Sequence, residues 1–234
     1  MINKGNGYLG LNTFACFVVV VMVLSVVSCT QAPQVAKTIF LKPEVAKQPE
    51  PAPEPSPLKL WRKLILENRQ VSIEQKLVLV NEFFNRFDFI EDRYLWGRDD
   101  YWATPRETLS MKAGDCEDLS IAKFFTLQAM DIPEEDMRLT YVISLKTKKP
   151  HMVLTVTMDP ELEPIVLDSV NNYLFPVSMR QDLVPVFSFN ARGYWLAKKQ
   201  DGWNGERIGS AVKLSLWNSV LQRMGISETV ISGG

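Results

Sequence analysis

Gly114-Asp115-Cys116-Glu117-Asp118-Leu119-Ser120-Ile121-Ala122-Lys123-Phe124-Phe125-Thr126-Leu127-Gln128-Ala129-Met130 begins with acids around a cysteine and continues with apolar residues in every turn. The spacing predicts a helix over 115–130, with Gly114 ending the preceding loop and Asp115 as N-cap. Leu119, Ile121, Ala122, Phe124, Phe125 and Leu127 spread around most of the circumference. A helix without a wet face belongs in the centre of a domain.

Such a helix must be covered, and the chain on either side supplies the cover. Upstream, 58–68 follows Pro57 as a helix; after Ser72, a good N-cap, Ile73, Leu77, Val80, Phe84 and Phe87 form one apolar face. Arg93 to Thr108 reads as a loop rich in aromatics (Trp96, Tyr101, Trp102), with Pro105 interrupting any helix through it. Downstream of Arg138 the period changes to that of strands. Short β-branched and apolar runs at 139–145, 151–158 and 165–168 read as antiparallel strands, and 184–190 with 194–198 flank Ala191-Arg192-Gly193 as a hairpin. A last helix over 212–224, closed by Gly225, carries Leu216, Trp217, Val220, Leu221 and Met224 as a core stripe. The expected class is α+β: N-terminal helices with a buried central helix packed on an antiparallel sheet.

At 234 residues, 46% hydrophobic and with a net charge of −1, the chain is large enough for one well-buried domain and is not built for nucleic acid. Lys146, Lys148 and Lys149 read as a solvated loop. Residues 1–28 read as a signal peptide of lipoprotein type, because Val26-Val27-Ser28-Cys29 resembles a lipobox and would leave Cys29 acylated. An uncleaved membrane anchor is the alternative, since Tyr8 to Val27 is largely apolar and near the length of a bilayer span. Either way the domain is expected to be exported, and Thr30 after Cys29 resembles the pattern of lipoproteins sent to the outer membrane. Residues 29–57, with Pro43, Pro49, Pro51, Pro53, Pro55 and Pro57, read as a linker reaching on the order of 80 Å. The domain then occupies 58–234.

Cysteine usage follows from that organisation. Cys16 leaves with the signal and Cys29 carries lipid, so Cys116 is the lone thiol of the mature domain and has no disulfide partner. In an oxidising compartment such a thiol is either buried and inert or chemically needed, and four polar or charged neighbours argue for the second.

A thiol attacks a carbonyl as thiolate, which requires a base, and His151 is the sole histidine. Asp168 is the candidate orienter of that imidazole, set against the commoner role of a strand-end aspartate opening a turn with Ser169 and Asn171. His151, Val153, Thr155 and Thr157 share one face of the middle strand, Met152, Leu154, Val156 and Met158 the other, and His151 enters the sheet at its edge. The register between that strand and 165–168 is left open by the sequence. The first turn of the helix favours a thiolate through its unpaired N–H groups and dipole, while Asp115, Glu117 and Asp118 push the thiol pKa up. Those acids are either caps of the helix or ligands, with backbone carbonyls, of a hard cation such as calcium.

Asp100-Tyr101-Trp102-Ala103-Thr104-Pro105, Gly114-Asp115-Cys116-Glu117-Asp118, Ala122-Lys123, His151-Met152-Val153-Leu154, Val166-Leu167-Asp168 and Ser188-Phe189-Asn190 together closely resemble the bacterial transglutaminase-like cysteine peptidases of the LapG type, over about 60–221. The resemblance implies a papain-like, transglutaminase-like fold, a Cys116/His151/Asp168 triad, and Ca2+ held partly by Asp115, Glu117 and Asp118. It further implies a periplasmic endopeptidase that cuts a large biofilm adhesin near its N-terminus, typically after paired alanines, releasing it from the outer membrane. An inner-membrane cyclic-di-GMP receptor that sequesters the protease is the implied partner. The lipobox and long proline tether depart from the family pattern and suggest an enzyme held near an adhesin rather than diffusing. Transglutaminase-type acyl transfer by the same triad, or a non-enzymatic lipoprotein adaptor, are the alternative expectations. The expected oxyanion donors are the backbone N–H of Cys116 and Trp102 or a neighbour.

Overall fold

The computed structural model describes residues 55–198, 201–211 and 214–226. The signal, the lipobox and nearly all of the linker lie outside the described residues. Among the described residues no helix is long and apolar enough to cross a membrane.

Two helices open the domain. α1 (Pro57–Glu67) places its proline at the first helical position, where the missing N–H has no intrahelical partner to lose. α2 (Ile73–Phe84) is held by a capping box in which Ser72 and Gln75 satisfy each other's backbone N–H groups. Leu77, Val80 and Phe84 are buried on its inner face. The segment 93–108 is not the single loop its prolines and aromatics suggested. Strand β1 (Asp88–Phe89) leads to a short helix α3 (Asp92–Leu95), and α4 (Pro105–Met111) begins at the proline expected to prevent it. Pro105 follows Thr104, whose side chain accepts from the Glu107 N–H while Glu107 reaches back, so the proline starts this helix instead of breaking one.

Strand β2 (Ala113–Gly114) pairs parallel with β1, Asp88 against Ala113 and Phe89 against Gly114. This small pairing draws the ends of the intervening loop together and delivers the acids of that loop to the start of α5 (Cys116–Ala129). From Asp118 to Leu127 every residue of α5 is buried, as an all-round apolar helix requires.

The sheet that α5 packs against has seven strands: β3 (Met137–Ser144), β4 (Pro150–Val156), β5 (Ile165–Leu167), β6 (Phe175–Pro176), β7 (Leu183–Phe189), β8 (Tyr194–Lys198) and β9 (Asp201–Gly209). Their spatial order is β6-β5-β4-β3-β7-β8-β9, each pair antiparallel. β6 and β9 were not foreseen; β9 is polar and glycine-containing and lies at the sheet edge, where no hydrophobic alternation is demanded. α6 (Ser215–Arg223) starts later than its apolar stripe suggested and buries Trp217, Val220 and Leu221. Trp217 stacks on Phe125 of α5 at 5.6 Å.

Alternation in β4 divides the interior. Met152, Leu154 and Val156 join the main core beneath α5, while Val153 faces a smaller cluster with Val142, Val166, Val177 and Leu183. The architecture is thus the mixed helix and antiparallel sheet expected, with Cys116 at the start of α5 and His151 at the start of β4.

Candidate active site

His151 is the second residue of β4, and Asp168 follows the last residue of β5. The two strands pair with Leu154 opposite Leu167 and Thr155 opposite Val166. Continued by one step, that register sets Asp168 across from Val153, two residues from His151 and on the same face, which is a diagonal cross-strand neighbour. The side chains meet: His151 Nε2 and Asp168 Oδ1 are 2.8 Å apart. A carboxylate only accepts, so Nε2 carries the proton and Nδ1 is the basic nitrogen of the neutral ring.

Asp168 is wholly buried, and burial alone would raise its pKa. The hydrogen bond and charge of His151, the Val170 N–H at 3.0 Å and the Arg180 guanidinium outweigh that and pull it down to about 2. Arg180 is itself buried; its Nη2 donates to Asp168 Oδ2 at 2.7 Å, and its Nε and Nη2 donate to Asp182 at 2.9 Å. The sequence reading missed Arg180. Its run, Met179-Arg180-Gln181-Asp182, resembles an ordinary polar turn, and only the return of the chain past β6 brings it to the carboxylate.

Cys116 is the first residue of α5 and the free cysteine of the described domain. The N–H of Met152, the residue after His151, is hydrogen-bonded to the sulfur, and the Ser120 hydroxyl donates to the Met152 carbonyl at 3.1 Å. The first turn of the helix is therefore docked on the strand backbone beside His151. The thiol itself donates to Glu117 Oε2 at 2.7 Å rather than to the imidazole. Burial first, then the charge and hydrogen bond of Glu117 and the charge of Asp115, hold the thiol well above its ordinary value. Burial and the acidic neighbours together thus outweigh the helix position.

Those acids belong to a larger group. Asp92, Asp100 and Glu117 bring ligand atoms within 4.8 Å of one another, as do Asp92, Asp115 and Asp118. Asp92, absent from the sequence reading, joins both sets, and Asp100, quoted there only as part of a motif, was given no ligand role. The clue lay in the acids that punctuate 91–100, a stretch read for its aromatics. Asp115 stands at the N-cap position yet its side chain makes no capping bond. Asp92 Oδ1 and Asp115 Oδ1 are buried with no hydrogen-bond partner. Asp118 has protein partners on both oxygens, the Ala103 N–H at 2.6 Å and the Trp96 indole at 3.3 Å. Gly114 is required beside it, because a Cβ there would come 2.6 Å from Asp118 Cβ.

Burial, followed by mutual repulsion, raises the Asp92 and Asp115 carboxyls; burial raises Asp118 to about 7. Orphaned buried carboxylate oxygens among five converging acids are what a hard, oxygen-seeking cation such as calcium needs. The donor set fits that ion on chemistry as well as on burial. Trp102, which with its neighbours was the suggested second oxyanion donor, stacks on Phe189 at 5.5 Å; burial raises the Asp100 carboxyl, and the hydrogen bond of the Trp102 indole opposes that rise.

The chain matches the bacterial transglutaminase-like cysteine proteinases (BTLCP) over residues 63–181. It is also similar to a solved structure of LapG from Legionella pneumophila, at 39% identity and a TM-score of 0.64, covering 72% of this chain and 87% of that one. The EGTA-treated form of the Legionella protein matches at 39% identity with a TM-score of 0.65, covering 72% of this chain and 88% of that one. Its calcium-bound form gives 39% and 0.63, with 72% and 89% covered. No curated protein matches the chain. On this fold, this set of side chains and these similarities, the chain belongs to the bacterial transglutaminase-like cysteine proteinase family and is a cysteine peptidase of the LapG type.

Proposed function

We propose that the protein is a calcium-dependent cysteine endopeptidase in which Cys116 is the nucleophile, His151 the general base and then acid, and Asp168 the orienting carboxylate. The observation that carries this reading is the His151–Asp168 pair at 2.8 Å, anchored by Arg180, next to the backbone on which the Cys116 helix start is docked. His151 Nδ1 takes the proton of the thiol as Sγ attacks the peptide carbonyl, then returns it to the departing amine; water attacks the thioester with the same imidazole as base. The N–H of Cys116, in the first turn of α5, has no intrahelical acceptor and is a candidate oxyanion donor. Asp168 keeps the ring in one tautomer and stabilises the imidazolium.

Asp115, Glu117 and Asp118, with Asp92 and Asp100, are the residues that would hold calcium. Bound there, the ion would supply positive charge beside the thiol and a fixed start to α5. Glu117 is at once the acceptor of the thiol and a member of the acidic group, so an ion that drew its carboxylate toward the other acids would free the thiol for His151. The calcium-bound and EGTA-treated structures of the Legionella LapG support this part of the reading.

The substrate we propose is the N-terminal region of a large biofilm adhesin retained in the outer membrane, with cleavage releasing it from the cell. The place of action is the periplasm, with Cys29 acylated and the proline-rich 29–57 acting as tether to the outer membrane. The proposed regulator is the periplasmic domain of an inner-membrane cyclic-di-GMP receptor, which sequesters the enzyme. Similarity to LapG and the lipobox-like Val26-Val27-Ser28-Cys29 support these three points.

The test incubates the full-length protein with recombinant N-terminal adhesin fragments in calcium and after chelation. Cleavage is expected in calcium only, and Cys116→Ala should lower it by at least roughly a thousandfold with an unchanged melting curve. Cleavage retained by Cys116→Ala ends the mechanism. Recovery of the mature protein wholly in the soluble periplasmic fraction ends the tether.

A further inference from the structure

We propose that Lys123, acting with Asn81 and Asn85, is a positioning residue for Asp168: a buried ammonium in the central helix that ties α2 and α5 to the turn carrying the carboxylate. Lys123 is completely buried within the apolar body of α5. An ammonium in that setting costs several kcal/mol unless compensated, by order of magnitude, and an apolar side chain of similar volume would serve packing as well or better. Its acceptors are two carboxamides on α2 and its C-cap, Asn81 Oδ1 at 2.8 Å and Asn85 Oδ1 at 2.7 Å. Neither is a formal charge.

What those carboxamides do next points to the role. Asn85 Nδ2 donates to the Asp168 carbonyl at 2.9 Å and to Asn172 Oδ1 at 2.8 Å. Asn81 Nδ2 donates to the carbonyls of Asn171 and Asn172 at 3.4 and 3.3 Å. Each amide therefore accepts from the ammonium on one side and donates to the 168–172 turn on the other, an arrangement in which successive hydrogen bonds polarise one another. Burial pulls the Lys123 pKa down to about 7, and the charge of Asp168 is what opposes it in favour of the ammonium. Arg180 grips the outer oxygen of the same carboxylate. The carboxylate is thus located from two sides: Arg180 fixes the side chain, and Lys123 through Asn85 fixes the backbone from which it projects. A displacement of that backbone would lengthen the bond to His151 Nε2, and the tautomer and aim of the ring depend on that bond.

The inference rests on the reading of Cys116, His151 and Asp168 as the reacting group, and the experiment separates the two. Because His151 is the sole histidine, the imidazole 15N and Nε2–H signals of the untagged full-length protein belong to it alone. The rate at which iodoacetamide alkylates Cys116, followed by mass spectrometry of its peptide, reports thiol activation. Lys123→Met is expected to fold, to shift or broaden the Nε2–H signal, and to slow alkylation and lower kcat on the order of tenfold with KM within about twofold. Asn85→Asp keeps an acceptor for Lys123 while removing the donor to the Asp168 carbonyl, and should move the same signal and the same rate.

A folded variant with the wild-type Nε2–H signal and alkylation rate overturns the inference. So does a fall in activity that appears only as raised KM, or loss of fold in both variants, which would make the network structural. Wild-type Cys116 that alkylates no faster than in His151→Ala counts instead against the catalytic reading itself.

Discussion

Asp168 and the acids at the start of α5 are the same kind of group in comparable burial, and their protonation is driven in opposite directions. Around Asp168 the protein has assembled a histidine, an arginine and, one layer behind, a lysine, and the carboxyl sits at about 2. Around Asp92, Asp115 and Asp118 it has assembled more carboxylates, and all three are raised. Burial penalises both sets. The difference is that the first carries its counter-charges in its own chain, whereas the second has more carboxylates around it and, on the proposed reading, would be completed by a cation. The Asp168 side is preorganised by the fold, and the acidic side, on that reading, would be conditional on an ion.

The largest effect should come from breaking the self-sufficient side. Asp168→Asn removes the charge that Arg180 and His151 share, and is expected to cost about 2–4 kcal/mol in denaturant unfolding and on the order of a thousandfold in kcat. A variant of wild-type stability and turnover would erase the distinction. Next is the conditional side. Calcium at about a hundred times its dissociation constant should stabilise the metal-depleted protein by about 2.7 kcal/mol, and Asp92→Asn should remove most of that gain while changing the metal-free protein little. Equal melting temperatures with and without calcium would break the comparison from the other end.

The smallest effect is in pH, and its sign differs between the two sides. A raised carboxyl binds its proton more tightly in the folded state, so metal-depleted protein should lose stability as pH rises from the ordinary carboxylate value of about 3.9 through the Asp118 value of about 7. Asp168 is depressed, so its contribution is present above the ordinary carboxylate value of about 3.9 and is lost as pH falls toward about 2. Melting curves across pH, with and without calcium, should show the neutral-range slope flattened by the ion and the acid limb unchanged. A slope that calcium leaves untouched would show that other groups control it.

Legibility of the site followed the rarity of its residue types. One histidine and one cysteine in the domain leave few partners to consider, and strand alternation put His151 near a sheet edge before any coordinates. Asp92, Asp100 and Arg180 were not legible, because aspartate and arginine are common and their roles depend on where a chain returns. The parallel pairing of β1 with β2 closes the acidic loop onto α5, and the turn after β6 brings Arg180 to Asp168. Pro105 was misread because proline is a breaker inside a helix and a starter at its first position, and Thr104 with Glu107 decides between them.

By itself the sequence determined the buried central helix and the α+β order, which rest on local periodicity, and it singled out Cys116 and His151 by counting scarce side chains. Tertiary structure decided the register that joins His151 to Asp168, the acceptor of the thiol, and the gathering of five acids and two buried cations around one centre. Those outcomes depend on the distance between groups far apart in the chain, and electrostatic energies vary with distance and burial in ways that residue order does not encode.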